Sequence, residues 1–187
     1  MIITGNLQVS RDHMTLGRDV IIPKVFDEPS LHPYKKWASI IRGEGTSHYD
    51  PQTPTLAITQ LNHTGRQSPN FLGGRWPFEP PLAPSAVPMD LKRSRASKPS
   101  LLAQVTRAIG FQTPREMSLR DINRVADEFV RGAELAAKAG FDGVQIHAAH
   151  GCEYICTDDR PIRTVTMRHR SNDSVHVAES LFFPIVY

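Results

Sequence analysis

The segment from Ser118 to Ala148 constrains this chain most, because it holds a complete helix-to-strand unit with punctuation at both ends. Ile122, Val125, Ala126, Phe129, Ala133, Ala136 and Ala137 recur at helical spacing and predict one apolar stripe. Ser118 is a good N-cap, Asp121 three residues on completes a capping-box variant, and Gly140 suits the left-handed position past the end. Gly143 to Ala148 then reads as a short strand, with Val144 and Ile146 on one side and Gln145 and His147 on the other.

Earlier segments repeat the theme. Ile2 to Thr4 is a β-favouring run that is predicted to stop at the turn pair Gly5-Asn6. Tyr34, Trp37, Ala38 and Ile41 predict a helix over Pro33 to Arg42, stopped by Gly43 and Gly45. Thr55 to Leu61 predicts a strand that ends in the polar run Gln60, Asn62, His63. Strands alternating with helices predict a parallel sheet joined by right-handed crossovers. In such folds the C-terminal ends of the strands carry the site. Residues 68–100, with prolines at 77, 80, 81, 84, 88 and 99, predict a long irregular loop. Beyond Cys152 the alternation is lost, so 152–187 is expected to be an atypical, irregular tail.

Composition narrows the function. A net charge of +3 with no long basic run gives no support to nucleic-acid binding. No apolar run approaches the roughly 18 residues of a membrane span. The N-terminus lacks the pattern of a secretory signal, and two cysteines are too few for a disulfide framework, so a reducing, cytoplasmic setting is expected.

Three positions stand out at the strand ends. His147 and His150, three residues apart, can converge on one oxygen and donate hydrogen bonds to a carbonyl that gains negative charge. From spacing alone, a pair of half-buried loop histidines accounts for them equally well. Gln60 offers a donor and an acceptor, which suits a heterocycle edge such as a flavin pyrimidine, and also suits a solvated or core-capping amide. His63 and Arg66 could contact an anionic group, but read first as solvated charges of a strand-end loop. His147, His150, Cys152 and Cys156 have the donor types of a zinc site, but their order is that of no finger or ribbon, and no metal is expected.

Three segments together resemble the Old Yellow Enzyme family of NADH:flavin oxidoreductases: residues 2–6 (IITGN), 60–67 (QLNHTGRQ) and 139–151 (AGFDGVQIHAAHG). Residues 84–86 (PSA) and 113–117 (TPREM) fit as well, so the resemblance spans residues 1–151. It implies part of an eight-stranded (β/α)8 TIM barrel, carrying roughly strands two to four, with FMN at the C-terminal face. It further implies NAD(P)H as reductant and an activated alkene, usually an α,β-unsaturated carbonyl compound, as acceptor. By motif, His147 and His150 would hydrogen-bond the substrate carbonyl, Gln60 would bind the flavin ring, and Asn6 would lie near the flavin through its backbone.

The chain also departs from the family. Cys152 stands where the family has the tyrosine that gives a proton to the α-carbon. The family's first strand and strands five to eight are expected to have no counterpart in these 187 residues. A barrel needs about 250 residues against the 187 here, so a truncated FMN- and NAD(P)H-dependent enzyme, with activity reduced or lost, is one expectation. A non-catalytic fragment completed by a partner chain is the other.

Overall fold

The computed structural model describes residues 1–15, 17–47, 49–53, 55–88 and 101–148. His150, Cys152, Cys156 and the 152–187 tail, with the readings attached to them, lie outside the described residues. In chain order the elements are β1 (Ile2–Gln8), β2 (Val20–Ile21), α1 (Glu28–Arg42), β3 (Ala57–Asn62), a 3-10 turn (Gly65–Gln67), β4 (Leu82–Ala83), α2 (Leu101–Gly110), β5 (Arg115–Glu116), α3 (Leu119–Ala139) and β6 (Gly143–Ile146).

Four strands form one sheet in the order β2-β1-β3-β6, and every pair is parallel. The alternation read in the sequence thus gives an arc of a β/α barrel, with helices α1 and α3 covering one face. Leu7, Ala57 and Leu61 from the strands meet Leu31, Tyr34 and Ala38 of α1 and Val125, Phe129 and Ala136 of α3 in a single core. Leu61 is fully buried, and burial of one such side chain stabilises by about 1.5–3 kcal/mol. The short pair β4-β5 lies apart from this sheet.

Several boundaries differ from the sequence reading. Helix α1 starts five residues earlier than expected. The Asp27 carboxylate accepts from the Ser30 amide (3.0 Å) while Ser30 Oγ accepts from the Asp27 amide (3.1 Å), a reciprocal cap that starts the helix ahead of Pro33. Pro33 is therefore inside the helix, on an exposed face.

Strand β1 does not stop at Gly5-Asn6 but continues to Gln8 through a bulge. Ile3 pairs with Ile58 and Asn6 with Gln60, so β1 has one residue more than β3 over this stretch. Thr4 holds the bulge: its Oγ1 donates to the Gly5 carbonyl (2.8 Å) and accepts from the Gln60 amide (3.0 Å).

In α3 the buried face is Val125, Phe129, Gly132, Ala133, Leu135, Ala136 and Ala139. Ile122, Ala126 and Ala137 of the predicted stripe are exposed. Gly132 is the reason for this rotation. A Cβ there would lie 2.9 Å from Ile22 Cδ1 and 3.0 Å from both Leu61 methyls, so the helix approaches the sheet at its smallest residue. The caps at Ser118 and Gly140 form as expected.

Helix α2 was not foreseen in the sequence. Leu101, Leu102, Val105 and Ile109 recur at helical spacing there and are exposed. The described part of the preceding loop is tied down by hydrogen bonds. Asn70 donates its amide to the Gly110 carbonyl (2.9 Å) and its Nδ2 to the Ile109 carbonyl (2.6 Å).

Candidate functional site at the C-terminal rim

Side chains alternate along a strand, so parallel register sorts the face opposite the helices into layers. The lowest layer is Ile3, Ile58 and Gly143; the next is Asn6, Gln60 and Gln145. Above these stand Gln8 and Asn62. The His147 amide donates to the Leu61 carbonyl (2.8 Å), which continues the ladder one residue past β6. His147 thereby falls beside Asn62 and, by alternation, on the same face as Gln145. The layers turn from apolar to polar toward the C-terminal rim. A face that only packed against a core would stay apolar throughout.

The structure brings Asn6, Gln60 and His147 of the predicted set to this one face. Asn6 is exposed, while Gln60 and His147 are half-buried. Gln60 lies within β3, two residues before its end, and its Nε2 donates to Gln145 Oε1 at 2.6 Å.

The layer above is more enclosed. Gln8 and Asn62 are buried, and Asn62 Nδ2 donates to Gln8 Oε1 (3.2 Å) and to Thr64 Oγ1 (3.3 Å). Gln8 Nε2 donates to Thr15 Oγ1 (3.0 Å). Among the described residues nothing donates to Asn62 Oδ1, although that oxygen is buried. A buried acceptor left unmet costs about 1–3 kcal/mol, which a bound donor offsets. Sequence reading passed over Gln8, Thr15 and Thr64 because polar residues at a strand end look the same whether solvated or enclosed.

His63 is buried at 1% exposure, which corrects its reading as a solvated loop residue. Its ring stacks on His13 at 4.5 Å, and His13 Nε2 accepts from the Leu82 amide (2.9 Å). Burial, with the nearby His63 and the charges of Arg75, Arg124 and Arg115, pushes the His13 imidazole down to about 2. His13 is neutral at ordinary pH and packs beside the loop that follows β3. Arg66 is half-buried, with Nη1 donating to the Val87 carbonyl (3.3 Å).

A cavity of about 670 Å³ is lined by Asp12, His13, Arg75, Trp76, Arg115 and Arg124 among others, and by none of Asn6, Gln60, Gln145 and His147. Its arginines are engaged. Arg75 donates to Ser68 Oγ (2.8 Å) and the Ser68 carbonyl (3.0 Å), and Arg115 pairs with Asp121 (3.0 Å). No metal-binding cluster of three or more His, Cys, Asp or Glu occurs among the described residues, and no helix among them is long and apolar enough to cross a membrane.

Residues 1–155 match the sequence profile of the NADH:flavin oxidoreductase / NADH oxidase family. An NADH-dependent flavin oxidoreductase of Neonectria sp. is 37% identical over 152 residues, covering 81% of this chain and 18% of that protein. A second one, of Talaromyces variabilis, is 38% identical over 152 residues, covering 81% of this chain and 33% of that protein. The chain therefore spans a third or less of the length of these curated relatives. Among solved structures, the old yellow enzyme homologue from Zymomonas mobilis superposes with a TM-score of 0.55 at 26% identity, covering 80% of this chain and 35% of that one. Morphinone reductase superposes with a TM-score of 0.55 at 20% identity, covering 81% of this chain and 36% of that one, a likeness of fold alone.

Proposed function

We propose, from the premise that this chain belongs to the NADH:flavin oxidoreductase / NADH oxidase family of FMN- and NAD(P)H-dependent oxidoreductases, that its C-terminal rim is part of a site for reducing activated alkenes. One observation carries the reading: parallel register collects Asn6, Gln60, Gln145 and His147 on one face, at the end of the sheet where such folds bind ligands.

The residues present fit a flavin. The pyrimidine edge of an isoalloxazine alternates carbonyl acceptors with an N–H donor, and the amides of Asn6, Gln60 and Gln145 supply both complements in one row. Gln60 would hold the ring, with Asn6 beside it. FMN, when bound, supplies two-electron transfer between NAD(P)H and the acceptor.

The chain's own contribution to the reaction is electrostatic. His147, with His150, would donate N–H groups to the carbonyl oxygen of an α,β-unsaturated substrate, stabilising negative charge that develops there. The half-buried position of His147 keeps that donor out of bulk water without enclosing it. Cys152, at the family's tyrosine position, is given no role in moving the α-carbon proton.

A closed barrel has eight strands, whereas the described sheet has four. We therefore propose that the described four-strand arc by itself holds FMN weakly and turns over slowly. The test is FMN binding by fluorescence quenching, followed by NAD(P)H oxidation with a cyclic enone. His147→Ala is expected to leave FMN binding within twofold and to cut enone-dependent oxidation by about 100-fold. FMN binding without any bleaching by NAD(P)H would favour the non-catalytic fragment. A folded chain that does not quench FMN would sink the flavin reading.

A further inference from the structure

We infer that Thr4 is a positioning residue whose buried hydroxyl holds Asn6 on the ligand face beside Gln60; the inference rests on the flavin reading above. Side chains alternate along a strand, so residues an odd number of positions apart normally face opposite ways. Ile3 and Asn6 are three apart, yet they are the register partners of Ile58 and Gln60, which are two apart. Bonds at both ends of β1 frame the extra residue: the Ile2 amide donates to the Leu56 carbonyl (2.8 Å) and the Val9 amide to the Asn62 carbonyl (2.9 Å). Without the bulge Gly5 would stand beside Gln60, Asn6 would turn toward the helices and Leu7 would leave the core.

Thr4 supplies the bond that keeps the bulge. In an unbroken parallel ladder the Gln60 amide would meet a β1 carbonyl. Here it donates to Thr4 Oγ1 (3.0 Å), and Thr4 Oγ1 donates to the Gly5 carbonyl (2.8 Å). A backbone N–H only donates and a carbonyl only accepts, so the sense of this relay is fixed. Thr4 has one proton and has committed it, so Thr59 is the donor in the contact between their hydroxyls (3.3 Å). Both threonines are buried, where an unbonded hydroxyl is costly. Glycine is not what holds the bulge, because Gly5 has no left-handed φ and a Cβ on it would meet no atom within 4 Å.

Two substitutions separate the hydroxyl from its bulk. Thr4→Val keeps the shape and removes the hydroxyl. Thr4→Ser keeps the hydroxyl and removes a methyl. The first readout needs no flavin: hydrogen exchange of the Gln60 backbone amide in the full chain, relative to the Leu135 amide of α3. The second is the FMN dissociation constant from fluorescence quenching. Asp142→Ala, which strips an acceptor from the Ala57 amide at the far end of β3, reports what lost stability alone does to FMN affinity.

In Thr4→Val the Gln60 amide is expected to exchange at least about tenfold faster relative to Leu135, and FMN to bind about five- to tenfold more weakly, the worth of one hydrogen bond. Thr4→Ser is expected to restore both to within about twofold, and Asp142→Ala to leave FMN affinity within about twofold. A serine variant impaired more than the valine variant would assign Thr4 to packing and overturn the inference. So would an unchanged Gln60 exchange ratio in Thr4→Val, or unchanged FMN affinity in that variant when the parent binds FMN. Should Thr4→Val not fold, the parent and Thr4→Ser decide: slow Gln60 exchange in both supports the inference, and exchange as fast as an exposed amide's in either overturns it. If the parent binds no FMN while Gln60 exchange responds to valine, the flavin reading falls and takes the role assigned to Thr4 with it.

Discussion

The two ends of one sheet are finished in opposite ways. At the N-terminal end, Asp142 accepts from Arg42 Nε (3.3 Å) and Nη2 (3.1 Å) and from the Ala57 amide (2.8 Å), while Arg42 also donates to the Gly140 carbonyl. Those contacts join the end of α1, the turn after α3 and the start of β3, and they engage both carboxylate oxygens. At the C-terminal end, Asn62 Oδ1 is buried without a donor among the described residues, Asn6 is exposed, and Gln60 keeps an acceptor and a donor beyond its bond to Gln145. Polar groups that satisfy one another stabilise a fold. Polar groups left partly open at the strand-end rim remain available to a ligand, which is the end the proposed function uses.

Substitutions can separate the ends or take them down together. The largest effect is expected midway, at Gly132, where α3 rests on Leu61. Gly132→Val would press on Ile22 and Leu61, lift the helix and loosen both ends, costing about 3 kcal/mol in urea unfolding. A chain that tolerates valine there would show that helix and sheet do not meet so closely. Asp142→Ala should act on the lower end alone. It strips partners from Arg42 and the Ala57 amide, costing about 2–3 kcal/mol, while FMN affinity of the folded chain stays within twofold. Equal loss of FMN binding would erase the distinction between the ends.

Acid should act on the upper end first. The His13 imidazole is held neutral in the folded chain by burial, with a pKa of about 2 against 6.5 when unfolded. Below pH 6.5 the unfolded state binds the extra proton, so stability falls as pH falls. By pH 5 the loss is about 2 kcal/mol relative to pH 7. His13→Gln keeps an acceptor available for the Leu82 amide and should flatten that slope, measured as urea midpoints at pH 7 and pH 5. An unchanged slope would mean that His13 does not carry the pH dependence.

Local signals were legible where a single segment contained them. Ser118, Asp121 and Gly140 bracket α3 because capping depends on residues three or four apart. The pairing of Gln145 with His147 on one side of a strand followed from alternation, and the polar ends of β3 and β6 were visible as residue types. What escaped needed a neighbour from far along the chain. Gly132 turns toward Leu61, 71 positions earlier, and a face drawn from apolar residues skips a glycine. His63 looked like a loop charge until His13 covered it.

The order of elements, the parallel sense of the sheet and the end of it that carries polar groups were determined by the sequence itself, through periodicity and punctuation that act within one helix or strand. The register was decided only in three dimensions. The bulge at Thr4-Gly5 sets which β1 residue stands beside Gln60, and the β3-β6 pairing sets Gln145 on its other side. Register depends on how whole strands slide to bury Leu7, Leu61 and Val144 together, and no segment holds that information alone.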